Sequence, residues 1–173
     1  MKIIPVILCG GGGTRLWEEV SNNQIKQFID FGGWTLFEKT LQRVKSNIYD
    51  YPIIITNKSY LKTVKKFLNK NKFNKFYIIS EPIKKNTNAA IASIVPTIGR
   101  INASSIVPIV VFPSDHFIEN NSKFNNSIKK NLKYLNSEDI FIFGIKPYFP
   151  SNQYGYFTTK KITNTINKVS KFI

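Results

Sequence analysis

The sequence predicts an α/β fold with a mainly parallel sheet and helices on both of its faces. Short apolar runs rich in Ile and Val recur along the chain, and each is followed by a longer segment with helical spacing. The runs are apolar throughout instead of alternating with polar residues, which predicts a sheet covered on both sides.

Five runs are predicted to be strands: Ile3–Leu8, Pro52–Thr56, Lys75–Ser80, Val107–Phe112 and Ile140–Gly144. The last residues, INKVSKFI, have the pattern of one more strand, and the chain stops there without a turn or a polar tail. This ending favours a truncated piece of a longer domain. We therefore expect residues 1–173 to form only part of a domain.

Four segments between the strands have helical spacing. TLFEKTLQRVKS places its apolar residues on one face and has Thr35 as its N-cap, and KSYLKTVKKFLNK repeats the pattern. TNAAIASIVPTIGRI is small and apolar on nearly every side, which predicts a buried helix that Pro96 kinks or ends. NSKFNNSIKKNLKYL predicts a fourth helix that faces solvent.

Composition excludes several classes of protein. The chain has 173 residues, a formal charge of +15, one cysteine (Cys9) and one histidine (His116). One thiol and one imidazole cannot build a four-ligand zinc site or an internal disulfide. No run is long enough to span a bilayer or to act as a signal peptide, so we expect a cytoplasmic protein without membrane contact. The lysines are spread along the chain without a nucleic-acid-binding motif, so no nucleic-acid partner is predicted.

A glycine-rich loop follows the first predicted strand. At the carboxyl ends of parallel strands, such a turn lets backbone N–H groups approach phosphate oxygens. A P-loop would require Gly-Lys-Ser/Thr, but Thr14 and Arg15 follow Gly13. A dinucleotide fingerprint would require a glycine where Arg15 stands. The loop is therefore neither of these two motifs.

The pattern Gly-Gly-x-Gly-Thr-Arg-Leu resembles the N-terminal signature of the sugar-1-phosphate nucleotidyltransferases, also called nucleoside-diphospho-sugar pyrophosphorylases. Trp17 after it is similar to the mannose-1-phosphate guanylyltransferase branch. Four later stretches resemble motifs of that branch in the same order: KQF, EPIKKNTNAAI, FPSDH and FGIKPYFPSNQYGYF. The resemblance implies a Rossmann-like sheet of the nucleotide-diphospho-sugar transferase type. It also implies that residues 1–173 form only the N-terminal, nucleotide-binding part of the nucleotidyltransferase catalytic domain.

The resemblance also implies a reaction and its participants. GMP would pass from GTP to mannose-1-phosphate, giving GDP-mannose and pyrophosphate, with Mg²⁺ as cofactor. The attacking phosphate is already ionised, so alignment and charge neutralisation matter more than a protein nucleophile. Base and sugar preference, the activity of the 173-residue chain by itself and a homo-oligomeric state stay open.

The implied site residues fall into three groups. The catalytic residues are Arg15 for the leaving pyrophosphate, Lys26 for the α-phosphate and Asp115 as the metal ligand. The nucleotide-binding residues are Leu8, Gly10, Gly11, Gly13, Thr14, Glu81, Asn86 and Thr87. Tyr154 and Gly155 would contact the sugar, and His116 would orient the turn at Asp115.

Each of these residues also has an ordinary structural interpretation. Lys26 alone could be a solvated charge, Asp115 a helix or turn cap, and Tyr154–Gly155 a tight turn. A uridylyl- or thymidylyltransferase and a non-catalytic nucleotide-binding remnant stay open as alternative functions.

Overall fold

The computed structural model describes residues 2–11, 25–83, 86–101, 106–152 and 154–173. These residues divide into two compact units, Met1–Asn125 and Asn126–Ile173. Within the described residues, no helix combines the length and the apolarity needed to cross a membrane.

The first unit is built on a parallel sheet of four strands. They are β1 (Ile4–Cys9), β2 (Ile53–Asn57), β3 (Tyr77–Glu81) and β4 (Ile109–Pro113), in the order β3-β2-β1-β4. Val6 pairs with Ile53, and Ile4 pairs with Ile109. All four carboxyl ends therefore lie at one edge of the sheet. The four predicted strands of this unit are confirmed, each beginning one or two residues later than expected.

The two central strands form the core. Val6 and Ile7 on β1 and Ile53 and Ile54 on β2 are all fully buried. Residues that follow one another along a strand point to opposite faces, so burial of both members of a pair means that both faces of the sheet are covered. This is the arrangement that uninterrupted apolar runs predict.

Helix α1 (Leu36–Arg43) begins with the predicted N-cap. The Thr35 hydroxyl accepts a hydrogen bond from the Glu38 amide at 3.1 Å, and the Glu38 carboxylate accepts one from the Thr35 amide at 3.0 Å. This reciprocal pair is a capping box, which satisfies two amides that a helix start would otherwise leave unpaired. Glu38 is buried and also forms an ion pair with Lys70 at 2.8 Å.

Removal of the Thr35 hydroxyl is expected to destabilise the first unit. Thr35→Ala takes away one of the two capping bonds, which typically costs about 1 kcal/mol of unfolding free energy. Urea denaturation monitored by circular dichroism would measure the loss. Ser122→Ala, at an exposed helical position, is the control and is expected to leave the midpoint unchanged. Equal midpoints for the two variants would contradict the capping role.

Two further helices follow their predicted segments. Helix α2 (Leu61–Lys70) comes directly after a one-turn 3₁₀ helix at Lys58–Tyr60 and buries Val64 and Leu68. The segment predicted to face solvent forms α5 (Asn121–Asn131), followed by a 3₁₀ turn at Leu132–Tyr134. Ile128 and Asn125 are its buried residues.

The helix predicted around Pro96 is interrupted just before that residue, between Ala92 and Val95, and its predicted burial is wrong. The segment forms two short helices, α3 (Thr87–Ala92) and α4 (Val95–Ile101), and among their described residues only Ala90 is buried. Pro96 occupies the first turn of α4, where a helix has no use for the amide that proline lacks. The apolar residues Ile91, Ile98 and Ile101 still pack against the core from half-exposed positions.

The fifth predicted strand is also wrong. Residues 140–144 form no strand, and Ile140 and Phe143 are 89% and 53% exposed. A strand needs a neighbouring strand to pair its backbone groups, and the described residues provide none for this segment. Apolarity predicts a tendency to be buried, but it cannot identify a pairing partner.

The second unit contains an antiparallel pair of strands. Strand β5 (Phe157–Lys161) pairs with β6 (Asn167–Phe172), with an irregular register between Thr158 and Thr159. The final apolar stretch is therefore a strand, as predicted. Its partner β5 is not predicted from the sequence, because the TTKK stretch lacks the apolar residues typical of a strand.

Candidate functional site

The candidate site lies where the parallel strands of the first unit end. Gly10 follows β1, Asp115 lies two residues after β4, and Glu81 is the last residue of β3. Because β1 and β4 are neighbours, Gly10 and Asp115 leave the sheet side by side. This edge is where ligands bind in open parallel sheets.

The side chains of a 3₁₀ turn at Lys26–Phe28 contact both the start of the glycine loop and the residues that follow β4. The Lys26 ammonium forms an ion pair with the Asp115 carboxylate, with Nζ and Oδ2 3.4 Å apart. The next side chain, Gln27, is buried and donates from Nε2 to the Gly11 carbonyl at 3.3 Å. Two consecutive side chains thus contact the two loops that are expected to hold phosphates and metal.

Aromatic packing fixes the Lys26 turn to the helices. The Phe28 ring meets Phe37 of α1 edge-on and stacks on Phe67 of α2, with centroids 5.6 Å apart in both cases. Phe37 and Phe67 also contact each other at 5.8 Å. Such contacts favour specific ring orientations. The turn that carries Lys26 is therefore held against α1 and α2.

Cys9, the last residue of β1, has a buried thiol. Burial raises the pKa of Cys9 from 9.0 to about 12, a rise that interactions with Ser114, Gln27 and Thr56 only partly offset. The thiol is therefore neutral at physiological pH. It contributes to packing and cannot act as a nucleophile, because the thiolate is the reactive form.

The raised pKa predicts that Cys9 is unreactive in the native protein. At pH 8 a disulfide-exchange reagent such as DTNB is expected to titrate the single thiol only after denaturation. Because the folded-state pKa exceeds the unfolded value, the native state should also lose stability as pH rises above about 9. Stoichiometric reaction within the mixing time under native conditions would contradict this placement.

Glu81 reaches from the end of β3 toward the glycine loop. A Cβ added at Gly10 would lie 2.7 Å from Glu81 Oε2 and 3.9 Å from the Asn57 backbone nitrogen. The absence of a side chain at Gly10 therefore makes room for this carboxylate. Among the described residues, no atom outside the chain neighbours of Gly11 lies within 4 Å of the equivalent point at Gly11.

The structure brings together most of the predicted residues that it describes in the first unit. Leu8, Gly10, Gly11, Lys26, Glu81 and Asp115 all lie at or beside the carboxyl edge of the sheet. Asn86 and Thr87 are exposed at the start of α3, and the Asn86 side chain makes no capping hydrogen bond. Gly13, Thr14 and Arg15 lie outside the described residues.

The predicted sugar-binding residues belong to the second unit. Tyr154 is 60% exposed and Gly155 is also exposed. The nearby Tyr156 hydroxyl accepts a hydrogen bond from the Ser151 amide at 2.7 Å, which closes a turn before β5. The turn interpretation is consistent with this local structure, and the sugar-binding role stays a prediction.

Two buried polar residues of this region, Gln27 and Arg43, are not among the residues that the sequence predicts for the site. Gln27 lies inside the KQF motif, but only its neighbour Lys26 was assigned a role. Arg43 receives no role from the sequence, yet it is 1% exposed. Its position three residues after the buried Thr40 and seven after the buried Leu36 places it on the apolar face, so the helical spacing contained the signal.

The donor set suits Mg²⁺ only when the metal arrives with a nucleotide. Asp115 offers one carboxylate with a 34% exposed side chain, and the described residues contain no group of three or more metal-ligating side chains. Mg²⁺ is commonly held by one or two carboxylates together with substrate phosphates and water. The residues therefore fit a metal–triphosphate complex better than a free ion.

A concave region lies at the opposite edge of the sheet. A shallow cavity of about 650 Å³ is lined by residues that precede the strands, among them Lys2, Tyr51 and Lys75. Lys45 and Lys72 also line it, near the C-terminal ends of α1 and α2. Cations at these positions balance the partial negative charge of helix C-termini, so the lysines have a structural explanation.

The fold and this edge define a class of protein, and comparison with known families agrees. The chain matches the nucleotidyl transferase family over residues 4–173 and belongs to that family. Among its relatives are mannose-1-phosphate guanylyltransferases of Sinorhizobium fredii, 33% identical over 90% of this chain, and of Escherichia coli, 32% identical over 92% of it. The alignments cover 30% and 35% of those proteins, so the chain spans about a third of their length.

Solved structures support the fold independently. The crystal structure of a Helicobacter pylori protein named mannose-6-phosphate isomerase matches all of this chain and 60% of its own, with a TM-score of 0.74 and 24% identity. At that identity the likeness concerns the fold alone. The predicted nucleotidyltransferase-type, mainly parallel fold is confirmed.

Proposed function

We propose that this chain is the nucleotide-binding part of a mannose-1-phosphate guanylyltransferase, which binds GTP with Mg²⁺ at the carboxyl edge of the first unit. The observation that carries the proposal is the Lys26–Asp115 pair, 3.4 Å apart beside the backbone of Gly10 and Gly11. It combines a cation, a carboxylate and side-chain-free backbone at one edge. Those are the groups that phosphoryl transfer requires.

Each group has a distinct role in the proposed reaction. Backbone amides of the glycine loop would donate to the triphosphate, and Lys26 would stabilise negative charge that builds on the α-phosphate. Asp115 would hold the metal, which supplies Lewis-acid polarisation of the phosphates when it is bound. Arg15 would hold the leaving pyrophosphate, and the acceptor, mannose-1-phosphate, would attack without a protein nucleophile.

The chemistry of Glu81 favours guanine as the base. An ionised carboxylate only accepts hydrogen bonds. Guanine presents two neighbouring donors, its ring N1–H and its exocyclic amino group, whereas uracil and thymine present one ring N–H. The Glu81 carboxylate lies beside Gly10, at the level where the phosphate-binding loop begins, so a base bound next to that loop could meet it.

Nucleotide preference tests the proposal. Thermal-shift measurements with GTP, UTP, dTTP and ATP in Mg²⁺ are expected to show the largest stabilisation with GTP. Glu81→Gln should reduce the GTP shift, because an amide cannot accept from both guanine donors. Glu138→Gln, which makes the same chemical change at an exposed position of the second unit, controls for general charge loss.

Three outcomes would contradict parts of the proposal. A larger shift with UTP or dTTP would favour a uridylyl- or thymidylyltransferase. No shift with any nucleotide would favour a non-catalytic remnant. Equal shifts with all four nucleotides would rule out base recognition by Glu81.

A further inference from the structure

Arg43 is a charged side chain inside the first unit. It is 1% exposed, and its guanidinium carbon lies 5.9 Å from the Phe112 ring centroid and 6.0 Å from that of Phe124. Burial lowers the pKa of Arg43, but arginine stays charged in proteins. Among the described residues its hydrogen-bond acceptors are neutral oxygens. A buried cation whose acceptors are neutral oxygens keeps a desolvation cost that its hydrogen bonds offset only in part.

The guanidinium contacts His116, three residues after the end of β4, and Asn121, the first residue of α5. Its Nη2 donates to the His116 carbonyl at 3.4 Å, and its Nε donates to Asn121 Oδ1 at 3.0 Å. A third bond, from Nη1 to Thr40 Oγ1 at 3.3 Å, ties the guanidinium to its own helix. Because the guanidinium is planar and rigid, these contacts fix His116 and Asn121 relative to α1.

Asp115 lies between two residues whose backbone groups are held. On one side, the Ser114 amide donates to the Leu8 carbonyl of β1 at 3.1 Å, and Ser114 is buried. On the other side, the His116 carbonyl accepts from Arg43. A hydrogen bond to β1 therefore holds the backbone just before Asp115, and a hydrogen bond to α1 holds it just after Asp115.

The backbone of Arg43 has its own support. Its carbonyl accepts from Asn125 Nδ2 at 3.0 Å, and Asn125 Oδ1 accepts from the Tyr49 hydroxyl at 2.7 Å. Tyr49 and Asn125 are both buried. The same network therefore contains a buried hydrogen bond, from Tyr49 to Asn125, that does not contact residues 114–121.

We infer that Arg43 is a positioning residue for Asp115, fixing the 114–121 connection so that the carboxylate meets Lys26 and the metal–triphosphate complex. The inference rests on the proposed role of Asp115 in binding that complex. His116 participates through its backbone carbonyl, and its imidazole is not needed. Arg43 itself contacts no reacting group in this account.

Calorimetric titration of the 173-residue chain with GTP, once with Mg²⁺ and once with EDTA, tests the inference. Arg43→Met is expected to reduce the ratio of the two affinities by about tenfold or more, as is typical when a metal ligand loses its support. Arg43→Lys should also reduce the ratio, since one ammonium cannot reproduce the planar set of N–H donors of the guanidinium. Tyr49→Phe is the matched control: it should lower the melting temperature and leave the ratio unchanged.

Amide hydrogen exchange supplies a second readout that needs no nucleotide. The Arg43 variants should exchange faster at residues 114–120, and Tyr49→Phe should not. If Arg43→Met fails to fold, the affinity ratio and the exchange rates of Arg43→Lys test the inference. An unchanged ratio in a folded Arg43 variant, or an equal reduction in Tyr49→Phe, overturns the inference. Absence of GTP binding by the wild type refutes the proposed function instead, and the exchange data alone then decide on Arg43.

Discussion

Asp115→Asn is expected to weaken GTP binding in the presence of Mg²⁺ by about 100-fold or more, because it removes the carboxylate that would hold the metal, and loss of a group that only supports a metal ligand already costs about 10–100-fold. In EDTA the same variant should bind GTP no more weakly than the wild type. Without metal, the Asp115 carboxylate repels the triphosphate and also pairs with Lys26 at 3.4 Å. Calorimetric titrations under the two conditions would measure both affinities.

A second aspartate provides the control for this experiment. Asp50 lies just before β2, at the opposite edge of the sheet, where its carboxylate accepts a hydrogen bond from the Tyr51 amide. Asp50→Asn makes the same chemical change and should leave both GTP affinities unchanged. An equal loss in the two aspartate variants, or a loss that persists in EDTA, would contradict metal binding through Asp115.

Phe37→Ala is expected to have the largest effect on stability, with a loss of about 3–5 kcal/mol of unfolding free energy. The Phe37 ring is fully buried and contacts Phe28 and Phe67, so its removal leaves a cavity between α1, α2 and the Lys26 turn. Urea denaturation would measure the loss. The variant should also bind GTP more weakly, because Phe28 then holds Lys26 less firmly.

Phe117 is the comparison for this variant. Its side chain is 58% exposed, and it contacts Trp34 at 5.8 Å. Phe117→Ala should change the unfolding free energy by no more than about 1 kcal/mol. Similar losses for the two variants would show that the aromatic cluster around Phe37 is not a core.

The strands of the first unit could be predicted because their chemistry is local. A parallel strand that is buried on both faces must be apolar throughout, and runs such as that at β2 show this directly. The capping box at Thr35 was only half visible, since the N-cap was predicted without its Glu38 partner. The wrong prediction at residues 140–144 has the opposite cause, because pairing depends on another segment and apolarity does not specify it.

The sequence predicts which residues form the site, but it does not predict which of their side chains contact each other. Motif resemblance selected Lys26 and Asp115, and it contained no information that their side chains meet across 89 positions of sequence. Gln27 and Arg43 were overlooked for a related reason. Both are polar residues in segments where polarity suggests exposure, and only the folded chain shows that they are buried and contact the site loops.

The location of bound nucleotide tests the central claim most directly. Titration of the ¹⁵N-labelled chain with GTP and Mg²⁺, followed by amide chemical shifts, would map the binding surface. We expect changes at Gly10, Gly11, Lys26 and Asp115, at the carboxyl edge of the sheet. Changes confined to the lysine-lined cavity at the opposite edge, around Lys2, Lys45 and Lys75, would contradict the central claim.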